Sequence, residues 1–456
     1  MAVWSAVKLS VLGSVLRMDP EFWHPQFLRA EKLILGLPHE KLGEVVISLK
    51  KGVFNILADS YVEQGIPFYR SSNVGAIMPK DSDLVYISEK RHADEKKTAL
   101  KRGDIMLAKT GKEAASVVLV RECNVSQDVI AIRPNRECIN PFYLAVFLNT
   151  KPGILEMRRW FQGQVQMHLS LPDAREILIP IIDSKSQKGI ESLVIASELQ
   201  QKKSFSAIAD AELLLLDALG LDQFDPTSQK CYSQRYRRIQ AEGRFDAEYF
   251  SPKYQRIIKR LREEGRTLSD VARLAERVFS PTLATGSDTL RYIEIGSLTG
   301  DGRAECETIQ VADAPSRATW IVKPGDIITS TVRPIRRLTA IISEAQDGCV
   351  CSSGFAVLTP KPGDSGIEPE VLLAYLRLPI ICEILNLYTT ASMYPAIPVQ
   401  RLMQIPILVP DNAARKQIVD KVQASFEARC ESARLLKLAK QTVEDMITGA
   451  SARKGR

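Results

Sequence analysis

The sequence predicts a mixed α/β chain of the α+β type, in which two repeated domains are separated by a long antiparallel helix pair and related by a pseudo-twofold axis. Three observations predict it. A set of short motifs occurs twice in the same order; each set ends in a long segment free of proline; and the stretches between motifs break into short β-branched runs.

The chain has 456 residues, enough for two domains that each bury a core. Apolar residues at 45% and charged residues at 25% place it among globular proteins and exclude disordered and fibrous classes. The first repeated motif, Arg17-Met18-Asp19-Pro20-Glu21-Phe22-Trp23, returns 227 residues later as Arg244-Phe245-Asp246-Ala247-Glu248-Tyr249-Phe250. Its alternate spacing puts Arg, Asp and Glu on one side of an extended segment pinned by a buried ion pair. That role is architectural, because no Glu-x-Lys nuclease partner follows either copy.

Gly103-Asp104-Ile105 and Gly325-Asp326-Ile327 read as turns entering strands. The runs 116–120, 130–132, 339–342 and 355–358 are β-branched, bounded by Gly, Asn, Asp or Pro, and read as strands. Helices are expected at 141–148 and 369–376, each with proline in its first turn, where the missing amide hydrogen costs nothing. Asn140-Pro141-Phe142-Tyr143 differs from the Asn-Pro-Pro-Tyr tetrad of adenine methyltransferases, and the repeat has Glu368-Pro369-Glu370-Val371 in its place. Both are read as helix starts.

Ile179-Pro180-Ile181 and Ile405-Pro406-Ile407 precede the two proline-free segments, 185–219 and 413–447. In the second segment Ile418, Val422, Phe426, Ala433, Leu436, Val443 and Ile447 form an apolar stripe; Ile190, Val194, Ile208, Ala211, Leu215 and Leu219 form a looser one, broken near its start by Gly189. Helices of ~35 residues run about 50 Å, longer than one such domain needs, so the two are expected to pack on each other. The domain boundaries that follow are 1–183, 184–220, 221–410 and 411–449.

Several chemistries lack their residues. The eight cysteines include no Cys-x-x-Cys pair and the four histidines are far apart, which argues against metal and for a reducing compartment. Lys109-Thr110-Gly111-Lys112 lacks the first glycine and the final Ser or Thr of a phosphate loop, with Met106 and Glu113 in those places. Lys8 interrupts the apolar start of the chain, and no later run reaches the ~20 apolar residues of a membrane span, so a cytoplasmic protein is expected. The net charge of +7 suits an anionic partner.

The order Arg-x-Asp-x-Glu-aromatic-aromatic, Gly-Asp-Ile, Ile-Pro-Ile and long helix, all given twice, resembles the specificity subunits of type I restriction-modification methyltransferases. The resemblance covers nearly the whole chain. It implies two target recognition domains, each reading one half of a split, asymmetric site on double-stranded DNA, and no catalytic centre or cofactor in this chain. Two modification subunits would dock on the helices, bind S-adenosylmethionine and methylate a flipped adenine. Restriction subunits would add translocation and cleavage driven by ATP with Mg.

On that reading the DNA contacts come from polar loops, since Asn and Gln pair with adenine edges and Arg and Lys with guanine. The first half offers Arg70, Ser71, Asn73, Lys109, Thr110, Lys112, Gln164, Gln166 and His168. The second offers Arg291, Ser330, Thr331, Arg333, Arg336, Arg337, Ser392 and Tyr394. Ile190, Val194, Ile418, Val422 and Phe426 are the expected partner-binding positions on the helices. Two other readings share the pattern: the specificity module of another DNA-modification or phage-defence system, and a non-enzymatic, two-lobed protein-binding scaffold.

Overall fold

The computed structural model describes residues 17–54, 60–81, 83–163, 167–222, 231–280, 288–363, 366–390 and 393–454, with side chains as far as 449. The chain forms two compact units: residues 1–200 with 430–456, and residues 201–429.

The first unit begins with α1 (Pro25–Leu35), β1 (His39–Lys41), β2 (Val46–Lys51), β3 (Tyr61–Val62), β4 (Ile66–Tyr69), β5 (Val85–Ile87) and α2 (Glu89–Asp94). Strands β6 (Leu100–Lys101), β7 (Ile105–Ala108), β8 (Ala115–Val117), β9 (Glu122–Val125) and β10 (Val129–Pro134) follow. Then come α3 (Pro141–Leu148), α4 (Lys151–Trp160), α5 (Leu171–Glu176), β11 (Leu178–Pro180) and the long α6 (Ser184–Ala218), which runs through Gly189 without a break.

The second unit holds α7 (Tyr236–Glu242), α8 (Ala247–Phe250), α9 (Pro252–Leu261) and α10 (Leu268–Val271). It continues with β12 (Ala272–Leu274), β13 (Thr289–Ile293), β14 (Glu307–Gln310), β15 (Ala318–Ile321), β16 (Ile327–Ser330), β17 (Thr339–Ile341), β18 (Val350–Ser352) and β19 (Phe355–Pro360). Helices α11 (Pro369–Arg377), α12 (Pro379–Leu387), α13 (Val399–Met403) and the start of the long α14 (Asn412–Lys454) complete it, the rest of α14 from Cys430 onward belonging to the first unit.

The repeat extends to topology. The antiparallel order β2-β10-β7-β8 in the first unit is matched by β12-β19-β16-β17 in the second. The order β5-β4-β9-β6 is matched by β14-β13-β18-β15, with a parallel pair at the centre of each. Among the described residues, strand β3 extends the first of these sheets only.

The motif residues show why the plan recurs. Gly103 and Gly325 take φ of 89° and 80°, a conformation open to glycine at little cost. The aspartate after each closes its turn, Asp104 accepting from Lys101 N at 2.9 Å and Asp326 from Lys323 N at 2.7 Å. Both carboxylates are buried and compensated, by Arg133 in one unit and by Arg277 and Thr359 in the other. Each Ile-Pro-Ile segment is held by a tyrosine hydroxyl that donates to its proline carbonyl: Tyr143 to Pro180 at 2.7 Å, Tyr375 to Pro406 at 2.9 Å.

The Arg-x-Asp-x-Glu segment is not extended. Residues 20–23 form a turn and 247–250 the helix α8, so Glu21 and Glu248 face solvent. The ion pair is present in both copies, Arg17–Asp19 and Arg244–Asp246 at 2.6 Å, and it is half-exposed. Each arginine lies over an aromatic ring, Phe22 at 4.5 Å and Tyr249 at 4.1 Å, a cation–π contact that fixes the chain where it enters the core.

Each unit contains its own stretch of antiparallel helix pair. In the first, Ile190 and Val194 of α6 join Ala439, Val443 and Ile447 of α14 in one buried cluster with α3. In the second, Ile208, Ala211 and Leu215 of α6 join Ile418 and Val422 of α14. Buried serines pair across each stretch, Ser197 with Ser432 at 2.8 Å and Ser204 with Ser425 at 3.0 Å. Such small, mutually hydrogen-bonded side chains let the backbones approach with no polar atom unmet. Among the described residues no helix is long and apolar enough to cross a membrane.

The first unit also buries an acid. Glu156 of α4 accepts from Leu178 N at 3.2 Å and Trp160 Nε1 at 3.3 Å through one oxygen, while the other has no hydrogen-bond partner. Burial raises its pKa to about 7, although the amide of Leu178 and the charge of Arg159 oppose the rise. The folded form therefore holds a proton that the unfolded form has released above the usual value of 4.5. Stability conferred by this group is full below pH 4.5 and is lost as pH rises through 7. Glu156→Gln is expected to flatten the fall of the melting temperature between pH 5 and 8, a difference of about 2–3 kcal/mol at the alkaline end. Thermal melts across that range check it; parallel curves for the two proteins would refute it.

Candidate nucleic-acid interface

In the first unit the loop after β7 meets the loop after α4. Thr110 and His168 bridge as antiparallel neighbours, as do Gln162 and His168, and Leu169 N donates to Lys109 O at 2.9 Å. The Thr110 hydroxyl lies 3.0 Å from His168 Nδ1 and 3.4 Å from Asp128 Oδ1. The turn after β4 joins them, with Ser71 Oγ donating to Thr110 O at 3.2 Å and Lys112 Nζ to Ser72 O at 3.4 Å.

Of the residues expected to face DNA in this unit, Ser71, Lys109, Thr110, Lys112 and His168 thus share one place. His168 is exposed, whereas Thr110 is buried. Arg70 donates to Asp83 O. Asn73 is buried and occupied, accepting from Arg70 N at 3.0 Å and donating to Lys80 O at 3.1 Å, so it shapes the turn. Gln164 and Gln166 lie outside the described residues. Burial, and then the neighbouring charge of Lys80, lower the pKa of Lys112. An anion at this place would relieve the repulsion.

The second unit builds the equivalent place from different residues. The loop after β16 meets the loop after α12: Val332 and Ala396 bridge, Thr390 and Ala396 bridge, and Ile397 N donates to Thr331 O at 2.9 Å. Ser330 and Thr331 are buried and turn inward, Ser330 Oγ donating to Val332 O at 2.9 Å and Thr331 Oγ1 to Gly354 O at 3.0 Å. Arg333 takes a left-handed conformation with φ of 50°, which costs a residue with a side chain about 1–2 kcal/mol. Its amide is held by Pro395 O at 2.7 Å, and its guanidinium lies 5.2 Å from the ring of Tyr394. Tyr394 is 67% exposed, and beside it Met393 is 78% and Ile335 51% exposed.

The three arginines of this loop have separate situations. Arg333 is half-exposed beside Tyr394, Arg336 is exposed, and Arg337 is ion-paired with Glu212 while donating to Arg377 O at 2.6 Å. Arg291, on β13, donates to the carbonyls of Ala345 and Asp347, away from this loop pair. Ser392 lies outside the described residues. Lys80 and Ile335 were not expected at these surfaces from the sequence: each reaches its place through a turn whose path is set by tertiary contacts.

The helix positions expected to bind partners, Ile190, Val194, Ile418 and Val422, are at most 1% exposed and form the seams. Phe426 is half-buried, with the Arg303 guanidinium 4.5 Å from its ring. Among the described residues, the large apolar side chains these helices present to solvent are Ile195, Leu199 and Leu438 in the first unit and Leu213 in the second.

No family model matches the chain. Over 156 residues it is 24% identical to the type I restriction enzyme HindI specificity subunit of Haemophilus influenzae (strain ATCC 51907 / DSM 11121 / KW20 / Rd), a match that spans 34% of this chain and 33% of that relative. Among solved structures, the S subunit of the type I restriction-modification system from M. genitalium aligns over 91% of this chain and 95% of that one, with 11% identity and a TM-score of 0.37. The HsdS subunit from Thermoanaerobacter tengcongensis aligns over 91% and 97%, with 17% identity and a TM-score of 0.27. The chain is similar to type I specificity subunits in these comparisons.

Proposed function

We propose that this chain is the sequence-reading subunit of a type I restriction-modification methyltransferase, each unit reading one half of a split, asymmetric DNA site. The observation that carries the reading is the matched pair of loop sites: one topology places the same two loops together in both units, and the residues on those loops differ. A common frame with divergent polar loops is what two independent readers of base edges require. The similarity to the Haemophilus influenzae specificity subunit supports it. Methyl transfer, with its S-adenosylmethionine, belongs to two modification subunits, and ATP with Mg to restriction subunits. Ile195, Leu199 and Leu438 are the docking residues for a modification subunit on the first unit, in place of the buried seam residues.

Single-molecule methylation mapping of the source genome with and without the gene tests the assignment. A bipartite motif with unequal halves is expected to vanish with the gene; a single uninterrupted palindrome, or no change, would overturn it. Exchanging residues 41–183 for those of another specificity subunit is expected to change one half-site alone.

The arginine loop supplies a sharper prediction. Arg333→Ala is expected to weaken binding of the cognate duplex about three- to tenfold near 0.1 M salt and to lower the slope of log affinity against log salt by up to about one unit. Arg337→Ala is expected to leave that slope unchanged and lower the melting temperature instead, because Glu212 already holds its charge. Fluorescence anisotropy at graded salt distinguishes them; the opposite pattern would refute the assignment.

A further inference from the structure

Outside the loop sites, the second unit brings two thiols together. Cys306 Sγ and Cys349 Sγ lie 3.4 Å apart, at or inside ordinary packing distance, and both are free thiols. Cys306 is exposed on the segment leading into β14, and Cys349 is buried immediately before β18. Gln346 holds the two segments together: its side-chain amide donates to Ala304 O at 2.7 Å and to Cys306 Sγ at 3.5 Å, and its backbone carbonyl accepts from Cys349 N at 3.0 Å.

We propose that Cys306 and Cys349 form a reversible oxidation site, which closes to a disulfide when the chain meets a peroxide. A disulfide needs about 2.05 Å between sulfurs, so a small rotation of the exposed Cys306 side chain brings the atoms together. The roles differ by environment. Burial, followed by the adjacent Cys306, raises the Cys349 pKa to about 12, so Cys349 keeps its proton at neutral pH while Cys306 faces solvent. The Cys306 thiolate attacks one oxygen of hydrogen peroxide, breaks the O–O bond and becomes a sulfenic acid; the expelled hydroxide leaves as water after protonation. Cys349 sulfur then attacks the Cys306 sulfur, the S–O bond breaks, and the Cys349 proton leaves with that oxygen as a second water. Two thiols are oxidised and one peroxide is reduced.

The site belongs to the second unit alone. The parallel pairs Tyr69–Val125 and Ile293–Cys351 are equivalent, and counting back two residues matches Cys123 to Cys349. No cysteine precedes Cys123 in the sequence, so the segment that would correspond to that of Cys306 carries no thiol to complete a pair there. The inference is independent of the DNA-reading assignment, because its readout is covalent.

The test treats the full chain with about one equivalent of hydrogen peroxide and reads intact mass, then digests without reductant. A loss of about 2 mass units, a cross-linked peptide joining the Cys306 and Cys349 segments, and recovery with a thiol reductant are expected. Cys306→Ser, an exposed change that leaves the core intact, is expected to abolish the loss and leave Cys349 reduced. Oxidation of Cys306 to sulfinic acid with Cys349 untouched, or cross-links through Cys138, Cys231 or Cys430 formed first, would overturn the proposal.

Discussion

Val422→Asp is expected to destabilise the 201–429 unit by about 5 kcal/mol or more, leaving it largely unfolded at 25 °C in the full chain. Val422 is fully buried, in one cluster with Ile208, Leu215 and Ile418. Losing its burial costs about 1.5–3 kcal/mol, and desolvating a carboxyl without a partner adds several more. The sum approaches the whole stability of an ordinary domain, about 5–15 kcal/mol. Phe426→Asp, one turn along the same helix, is the internal comparison. Phe426 is half-buried under Arg303, so an aspartate there keeps access to water and to a cation, and a cost of about 1–2 kcal/mol is expected. Urea unfolding followed by circular dichroism checks both; similar midpoints for wild type and Val422→Asp would mean that the seam is wrongly placed.

Glu212→Ala is expected to cost about 3–5 kcal/mol, through the charge it strands. Arg377 is 5% exposed, and its guanidinium donates to the carbonyls of Gly300, Arg337 and Thr339 as well as to Glu212. Burial already lowers the Arg377 pKa, and the negative charge of the Glu212 carboxylate is the main influence opposing that burial. Glu212 also holds Arg337, so its removal takes away the carboxylate that ion-pairs with both of these neighbouring cations. Glu212→Gln keeps an acceptor but not the charge, and about half the loss is expected. Chemical denaturation of the three proteins decides the matter; an alanine variant within about 1 kcal/mol of wild type would show that Arg377 is compensated elsewhere.

Much of this architecture is legible because its causes are local. The Gly-Asp-Ile turns need only a residue that accepts positive φ and a carboxylate that reaches an amide three residues back, and both lie within one short motif. The long helices declare themselves by period, which is why residues 185–219 and 413–447 are recognised to within a few residues except for the extension of α14 to Lys454. The Arg-x-Asp-x-Glu segment suggests an extended chain because alternate spacing fits a strand and a tight turn equally; the ring beneath each arginine decides for the turn.

The candidate site was legible only as a set of loops. Arg333 and Arg337 are alike in sequence, and what separates them is a glutamate 125 residues before Arg337. Asn73 and Thr331 look like donors for a ligand until Lys80 O and Gly354 O occupy them. Seam residues such as Ile190 and Val422 were legible as apolar, but a stripe does not say which of its members a partner helix of the same chain has covered.

The division of the chain carries a consequence for its biosynthesis. The second unit is one continuous stretch, 201–429, and it is inserted into the first, whose core includes Ala439, Val443 and Ile447. On the ribosome the first 200 residues therefore emerge without the helix that covers Ile190 and Val194, and wait while the whole of the second unit is translated. The unit made first is completed last. Until residues 430–449 arrive, an apolar helix face stays open to chaperones and to other nascent chains, and translation speed through the intervening 229 residues sets how long that exposure lasts.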